Sequence, residues 1–218
     1  MPTGGFPSPN FSERRDGAQP DLIVIHYTAM PTCAEARDRL CDPSVEVSAH
    51  WLIAENGTVE QLVDEAMRAW HAGAGAWAGV SDVNSRSIGI ELANAGDAPF
   101  PEPQMAALER LLSAIMARWN IPPERVIAHS DMAPERKRDP GPRFDWRRLA
   151  LQGLAHWPEG EGDSTTPFLT SLAALGYPDA APDALLQAFR LRFRPWATGD
   201  ETAEDRAIAD AAARVRRA

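Results

Sequence analysis

His26, His129 and Asp139 are the residues of this sequence whose types best suit a catalytic metal. Two imidazoles and a carboxylate, with a fourth position left to water, make a ligand set for zinc. Zinc lowers the pKa of that water and polarises a carbonyl. Amide hydrolysis also needs a base to take a proton and a positive group to hold the oxyanion. Glu91 and Lys137 are of the right types. Each assignment has a plainer counterpart. His26 closes an apolar run and is equally suited to a hydrogen-bonded place in the core. Glu91 lies among apolar neighbours, where a carboxylate needs a partner or a task unless it points to solvent from an edge strand. Lys137 stands between Arg136 and Arg138, as in a solvated basic run.

Local signals describe what must position these groups. Val126-Ile127-Ala128 reads as the end of a buried strand, which places His129 where the chain leaves the core. Pro134, Pro140, Gly141 and Pro142 argue against helix and for a loop of fixed shape. In extended backbone Lys137 and Asp139 would point to the same side. Leu22 to Ile25 is a strand apolar enough for burial on both faces, ending in His26. Ser48 to Ile53 and Thr58 to Val63 read as a hairpin through Asn56-Gly57. Ser87 to Leu92 is a further strand carrying Glu91, and the Gly-, Ala- and Trp-rich stretch before it reads as an exposed loop.

Helices punctuate the strands. Thr32 and Glu35 fit a capping box for a short helix ending near Cys41. Met105, Leu108, Leu111, Leu112, Ile115, Met116 and Trp119 recur at helical steps between Glu102 and Trp119, a core-facing stripe. Asp145 is placed to cap a helix from Trp146 to Leu154. Trp157 to Thr166 breaks the pattern as a linker. Three helical segments follow: Pro167 to Leu175, with Thr166 as cap and Gly176 as stop, then Pro182 to Phe193 and Thr202 to Val215. The expected division is a first domain over residues 1–156, a linker over 157–166 and a helical module over 167–218. A module of about 50 residues is marginal alone and is expected to lean on the first domain.

Composition bounds the function. With 218 residues, 44% hydrophobic and 24% charged, the chain is that of a globular protein. A net charge of -9 argues against nucleic acid as a partner. No apolar run approaches the ~20 residues of a membrane span. The polar stretch from Met1 to Gln19 lacks the apolar centre of a signal peptide. The cytoplasm is therefore the expected location, with the periplasm as the alternative for a chain trimmed of a leader. Cys33 and Cys41 would lie ~12 Å apart along a helix, too far for a disulfide. They are read as two reduced thiols.

Several motifs in one order carry a resemblance: Ser8-Pro9-Asn10-Phe11-Ser12-Glu13-Arg14-Arg15, Val24-Ile25-His26-Tyr27-Thr28, Ser48-Ala49-His50-Trp51-Leu52-Ile53, Ala69-Trp70-His71-Ala72-Gly73, Ile88-Gly89-Ile90-Glu91-Leu92, and the loop from Ile127 to Pro142. From about Pro9 to Leu154 the chain resembles the zinc-dependent N-acetylmuramoyl-L-alanine amidases of the AmpD/AmiD type, the amidase_2 family related to peptidoglycan recognition proteins. The resemblance implies an α/β fold, a mixed central β-sheet flanked by helices with the metal at the strand ends. It implies zinc on His26, His129 and Asp139, Glu91 as the base and Lys137 as the oxyanion stabiliser. His71 resembles a substrate-groove residue of the family, and His50 divides between groove and satisfied core. Asn94 and Arg86 are placed on the stem peptide only by their nearness to Glu91. His156 is read as surface. Leu172-Ala173-Ala174-Leu175-Gly176-Tyr177 and Ala188-Phe189-Arg190 resemble the small three-helix peptidoglycan-binding module.

The implied reaction is hydrolysis of the amide between N-acetylmuramic acid, including its 1,6-anhydro form, and the L-alanine of the stem peptide. The implied partner is a muropeptide or peptidoglycan. A binding protein of the same fold without turnover is the first rival; Asp139, which non-cleaving relatives commonly lack, and Glu91 count against it. A zinc peptidase cutting within the stem is the second. Recycling of muropeptides in the cytoplasm is favoured over action on polymeric wall.

Overall fold

A computed structural model describes residues 7–214. Expectations falling on residues 1–6 and 215–218 lie outside it. In chain order the elements are β1 (Phe11–Ser12), β2 (Leu22–Tyr27), α1 (Cys33–Cys41), β3 (Trp51–Ile53), β4 (Val59–Gln61), β5 (Arg68–Ala69), α2 (Val83–Arg86), β6 (Ser87–Leu92) and α3 (Glu102–Trp119). There follow β7 (Val126–Ala128), α4 (His129–Met132), α5 (Trp146–Leu151), α6 (Phe168–Leu175), α7 (Pro182–Phe193) and α8 (Ala203–Ala213). Five strands form a mixed sheet in the order β4-β3-β6-β2-β7. Only β4 runs antiparallel to its neighbour; β3, β6, β2 and β7 are parallel. A separate ribbon joins β1 to β5.

The two faces of the sheet bury different partners. Ile23, Ile25, Ile88 and Ile90 pack against Leu108, Leu112 and Ile115 of α3. Leu22, Val24, Ile127 and Met132 share a core with Phe168, Leu172, Phe189 and Ala212 of the C-terminal helices. Among the described residues, no helix is long and apolar enough to cross a membrane.

Most element expectations hold, and the differences have local causes. β3 starts only at Trp51, because Ser48 is drawn off toward the neighbouring loop, its N–H bonding the Trp70 carbonyl and its Oγ the Asn10 carbonyl. Thr166 does not cap α6; Pro167 occupies that position without a side-chain bond, whereas Gly176 ends the helix at φ 109 as expected. α5 stops at Leu151, since Gly153 turns left-handed at φ 70 and Leu154 N–H bonds back to Leu149. The loop after β7 opens with the single helical turn α4 rather than without helix. The Gly-, Ala- and Trp-rich stretch is not simply exposed, because Trp77 is buried in the second core. β6 is the middle strand, so Glu91 is not on an edge. Thr32 caps α1 by accepting from Glu35 N–H, and neither cysteine is in a disulfide. His156 is not a surface residue: it is half-buried, with Nε2 donating to the Ala212 carbonyl at 3.0 Å.

Candidate metal centre

Strand parity places the first two groups. In the β2–β6 ladder Leu22 pairs with Ser87, Val24 with Gly89 and His26 with Glu91. Side chains two apart share a face. His26 and Glu91 therefore emerge side by side where these parallel strands end. β7 lies on the other flank of β2, and its continuation supplies His129. The loop then folds back, and Ser130 N–H donates to the Asp139 carbonyl at 3.0 Å, closing it on itself. That bond brings Asp139 beside the histidine ten positions before it.

The result is a nearly equilateral triangle of donor atoms. His26 Nδ1 and His129 Nδ1 are 2.9 Å apart, and Asp139 Oδ2 lies 3.0 Å from the first and 2.9 Å from the second. All three residues are buried.

The outer hydrogen bonds fix the tautomers. Ser87 Oγ donates its proton to the Val83 carbonyl at 2.6 Å, so toward His71 Nε2, 3.0 Å away, it acts as acceptor. Neutral His71 therefore carries its proton on Nε2 and accepts with Nδ1 from His26 Nε2–H, at 3.0 Å. His129 Nε2–H donates to the Ala72 carbonyl at 2.9 Å. In the neutral imidazoles both Nδ1 atoms are then bare lone pairs, aimed with a carboxylate oxygen at one point. Such a cluster repels itself unless a cation occupies its centre. The edges are slightly shorter than the roughly 3.3 Å expected between ligands of a tetrahedral zinc with bonds of about 2.0 Å. The donor set fits zinc in type, number and outer support. His26, His129 and Asp139 are positioned to coordinate it.

Burial governs the protonation of the surrounding groups. It pushes His26 down to about 4, helped by the neighbouring His129, and holds His71 well below the usual imidazole range, helped by the adjacent imidazoles. Glu91 is pushed up to about 8, first by burial and then by the Asp139 charge, against the pull of Lys137. Its Oε2 is enclosed and has no hydrogen-bond partner among the described residues. A pocket of about 490 Å³ opens over these groups, with His26, His71, Glu91, His129, Lys137 and Asp139 in its walls. That volume suits a small organic ligand.

The remaining expected residues separate. His71 lines the pocket, but its ring is committed between His26 and Ser87, so it serves the ligand beside it. His50 is satisfied core: it is fully buried, accepts from Gly89 N–H at 2.9 Å and donates to the Met67 carbonyl at 3.1 Å. Asn94 shapes the turn after β6, accepting from Gly96 N–H at 2.7 Å and donating to the Ala98 carbonyl at 3.2 Å. Arg86 precedes β6 at the opposite end of the strand from Glu91 and pairs with Asp21. None of these last three lines the pocket.

Several further residues support the site. Asn84 Oδ1 accepts from both His71 N–H and Ala72 N–H, at 3.1 and 2.8 Å, and so fixes the segment that meets both histidine ligands. Arg136 donates to the same Ala72 carbonyl at 2.7 Å. Gly89 leaves room for the His71 ring: a Cβ there would lie 2.4 Å from its Cγ. A glycine inside an apolar strand was the available signal. Ser87 and Asn84 gave none, because their partners are distant in sequence.

Comparison with known proteins agrees with this geometry. The sequence pattern of the N-acetylmuramoyl-L-alanine amidase family matches residues 16–142. N-acetylmuramoyl-L-alanine amidase AmiD of Escherichia coli is 39% identical, over 87% of this chain and 81% of its own. The 1,6-anhydro-N-acetylmuramyl-L-alanine amidase AmpD of Haemophilus influenzae is 35% identical over 65% of this chain and 86% of its own. The solved structure of E. coli AmiD with the substrate anhydro-N-acetylmuramic acid-L-Ala-D-γ-Glu-L-Lys superposes with a TM-score of 0.82 at 36% identity, covering 94% of this chain and 98% of that one. AmpDH3 of Pseudomonas aeruginosa gives 0.81 at 30% identity over the whole of both chains.

Proposed function

The chain belongs to the N-acetylmuramoyl-L-alanine amidase family, and on that premise we propose that it is a zinc amidohydrolase cutting the bond between N-acetylmuramic acid, 1,6-anhydro forms included, and the L-alanine of the stem peptide. The observation that carries this reading is the triangle of His26, His129 and Asp139 with Glu91 on the adjacent strand in one pocket. When bound, zinc supplies a Lewis acid that polarises the amide carbonyl and makes water a competent nucleophile near neutral pH.

The chain's own residues supply the rest. Glu91, whose pKa burial and the Asp139 charge raise to about 8, takes as its carboxylate the proton of the attacking water and returns it to the leaving amine. Lys137, half-buried in the pocket wall, places a positive charge near the developing oxyanion. His71 and the Ala72 carbonyl hold the two imidazoles in the tautomers that expose Nδ1. Arg39, Arg136 and Arg138 add further positive charge around the pocket of a chain whose net charge is -9. That local inversion suits a substrate with peptide carboxylates. We assign the groups that meet the substrate to the domain over residues 1–156, take 157–166 as a linker, and read α6, α7 and α8 as a helical unit packed against that domain.

The test is mass spectrometry of an anhydro-muropeptide digest, with a zinc chelator in a parallel reaction. Free stem peptide and a sugar without amino acids, both abolished by the chelator, are expected. Cleavage within the stem would replace this reading with a peptidase. Intact anhydro-muropeptide and intact sacculi with zinc-loaded protein would leave a binding protein. Turnover of the soluble muropeptide in preference to sacculi supports recycling in the cytoplasm; the reverse preference supports the periplasm.

A further inference from the structure

We propose that the C-terminal helices are part of the hydrolytic centre, with Tyr177 and Arg192 as positioning residues that hold the His129 ligand through Asp131. The proposal rests on the metal assignment above. His129 begins α4, a helical turn of four residues. One isolated turn fixes several backbone angles for a single hydrogen bond and does not hold itself. Its support comes from elsewhere in the chain.

Asp131, fully buried in that turn, is the point of attachment. Its Oδ1 accepts from the Tyr177 hydroxyl at 2.6 Å. Its Oδ2 accepts from Arg192 Nη1 at 3.1 Å and from Ala128 N–H at 2.9 Å. Arg192, on α7, also donates to the Val126 carbonyl at 3.2 Å and lies over the Trp146 ring at 4.2 Å. A single guanidinium thus grips both the strand that leads into His129 and the turn that contains it. Met132, the last residue of the turn, packs in the core shared with α6 and α7.

The other side of His129 is held from the same place. Its ring proton goes to the Ala72 carbonyl, at the head of a loop running through Trp77. Ala78 N–H donates to the Gly176 carbonyl at 2.8 Å, and Trp77 meets Tyr177 edge-on at 5.2 Å. Ala76 N–H returns to the Met132 carbonyl at 2.9 Å. The segment after α6 therefore braces both the backbone of His129 and the loop that bonds its imidazole. A contact serving only to fasten the helices to the sheet would have no reason to converge on one metal ligand from two directions.

α7 contains its own control. Arg190, two residues before Arg192, is likewise buried and paired with a buried aspartate, Asp205, but inside the helical unit. Tyr177→Phe, Arg192→Met and Arg190→Met are to be compared with the wild type by zinc competition against a chromophoric chelator and by the visible spectrum of the cobalt-substituted proteins. Tyr177→Phe and Arg192→Met are expected to weaken zinc binding about 10- to 100-fold, as loss of groups that orient metal ligands does, and to alter the cobalt bands. Arg190→Met is expected to lower the melting temperature while leaving both readouts as in the wild type. Tyr177→Phe removes one hydroxyl and keeps the test decisive if Arg192→Met does not fold. Unchanged zinc affinity and cobalt bands in Tyr177→Phe, or equal changes in Arg190→Met, overturn the proposal. A wild-type protein that binds no zinc overturns the metal assignment itself, and this proposal with it.

Discussion

His26 and Glu91 are register partners across the parallel β2–β6 ladder, on the same face and at the same end of the sheet. The imidazole positioned for the metal and the carboxylate proposed to handle the proton are thus spaced by the sheet itself, about 4.8 Å between strands. A loop would hold them less rigidly. Their relationship makes the two roles separable.

Glu91→Gln keeps the shape of the side chain and removes its basicity. Zinc content is expected to match the wild type, while kcat falls by about 10²- to 10⁴-fold, the usual weight of a general base. Metal analysis beside single-turnover assays checks both halves. Loss of zinc together with rate would make Glu91 a structural partner of the ligands instead.

The same residue sets a pH dependence in zinc-free protein. Its pKa in the fold, about 8, lies above its value in the unfolded chain, so the folded state keeps a proton that the unfolded state releases. Stability contributed this way is present below about 4.5 and is lost as pH rises toward 8. Glu91→Gln has no such proton. Urea melts across that range, with a chelator present, are expected to show a flatter decline in the variant; parallel declines would remove burial as the cause.

Gly89→Ala tests the space beneath the metal centre. The added methyl would lie 2.4 Å from His71 Cγ, so the ring must move. Overpacking of this kind costs about 1–3 kcal/mol. Weaker zinc binding should accompany the loss of stability, because the displaced ring is the acceptor for His26 Nε2–H. A cobalt spectrum identical to that of the wild type would show that His71 does not orient His26.

Lys137 and Arg86 provide a contrast between place in space and place in sequence. Lys137→Met is expected to lower kcat by about 10- to 10³-fold with zinc retained, as loss of an oxyanion partner does. Arg86→Ala should leave kcat and KM unchanged and lower thermal stability, since its partner is Asp21 at the far end of β6. An effect of Arg86→Ala on KM alone would place it on the substrate.

Much of this protein was legible locally. The runs Leu22 to Ile25 and Ser87 to Leu92, the Asn56-Gly57 turn and the stripe from Met105 to Ile115 announce their own elements, because burial and backbone preference act over a few residues. The types of His26, His129 and Asp139 suggested a zinc ligand set, and the resemblance carried by their motifs named the chemistry. Tertiary structure decided which residues meet. His50 and His71 look alike in sequence, yet one is closed by Gly89 and Met67 while the other bonds the His26 ring. Arg86 ends α2, at the opposite end of β6 from Glu91. Asp131, two residues after a ligand, acquires its meaning only from Tyr177 and Arg192, 46 and 61 positions later. Strand order, register and the return of the C-terminal helices are set by contacts between segments far apart in the chain. Local sequence determines the elements and the reactive groups; their convergence depends on how the whole core packs.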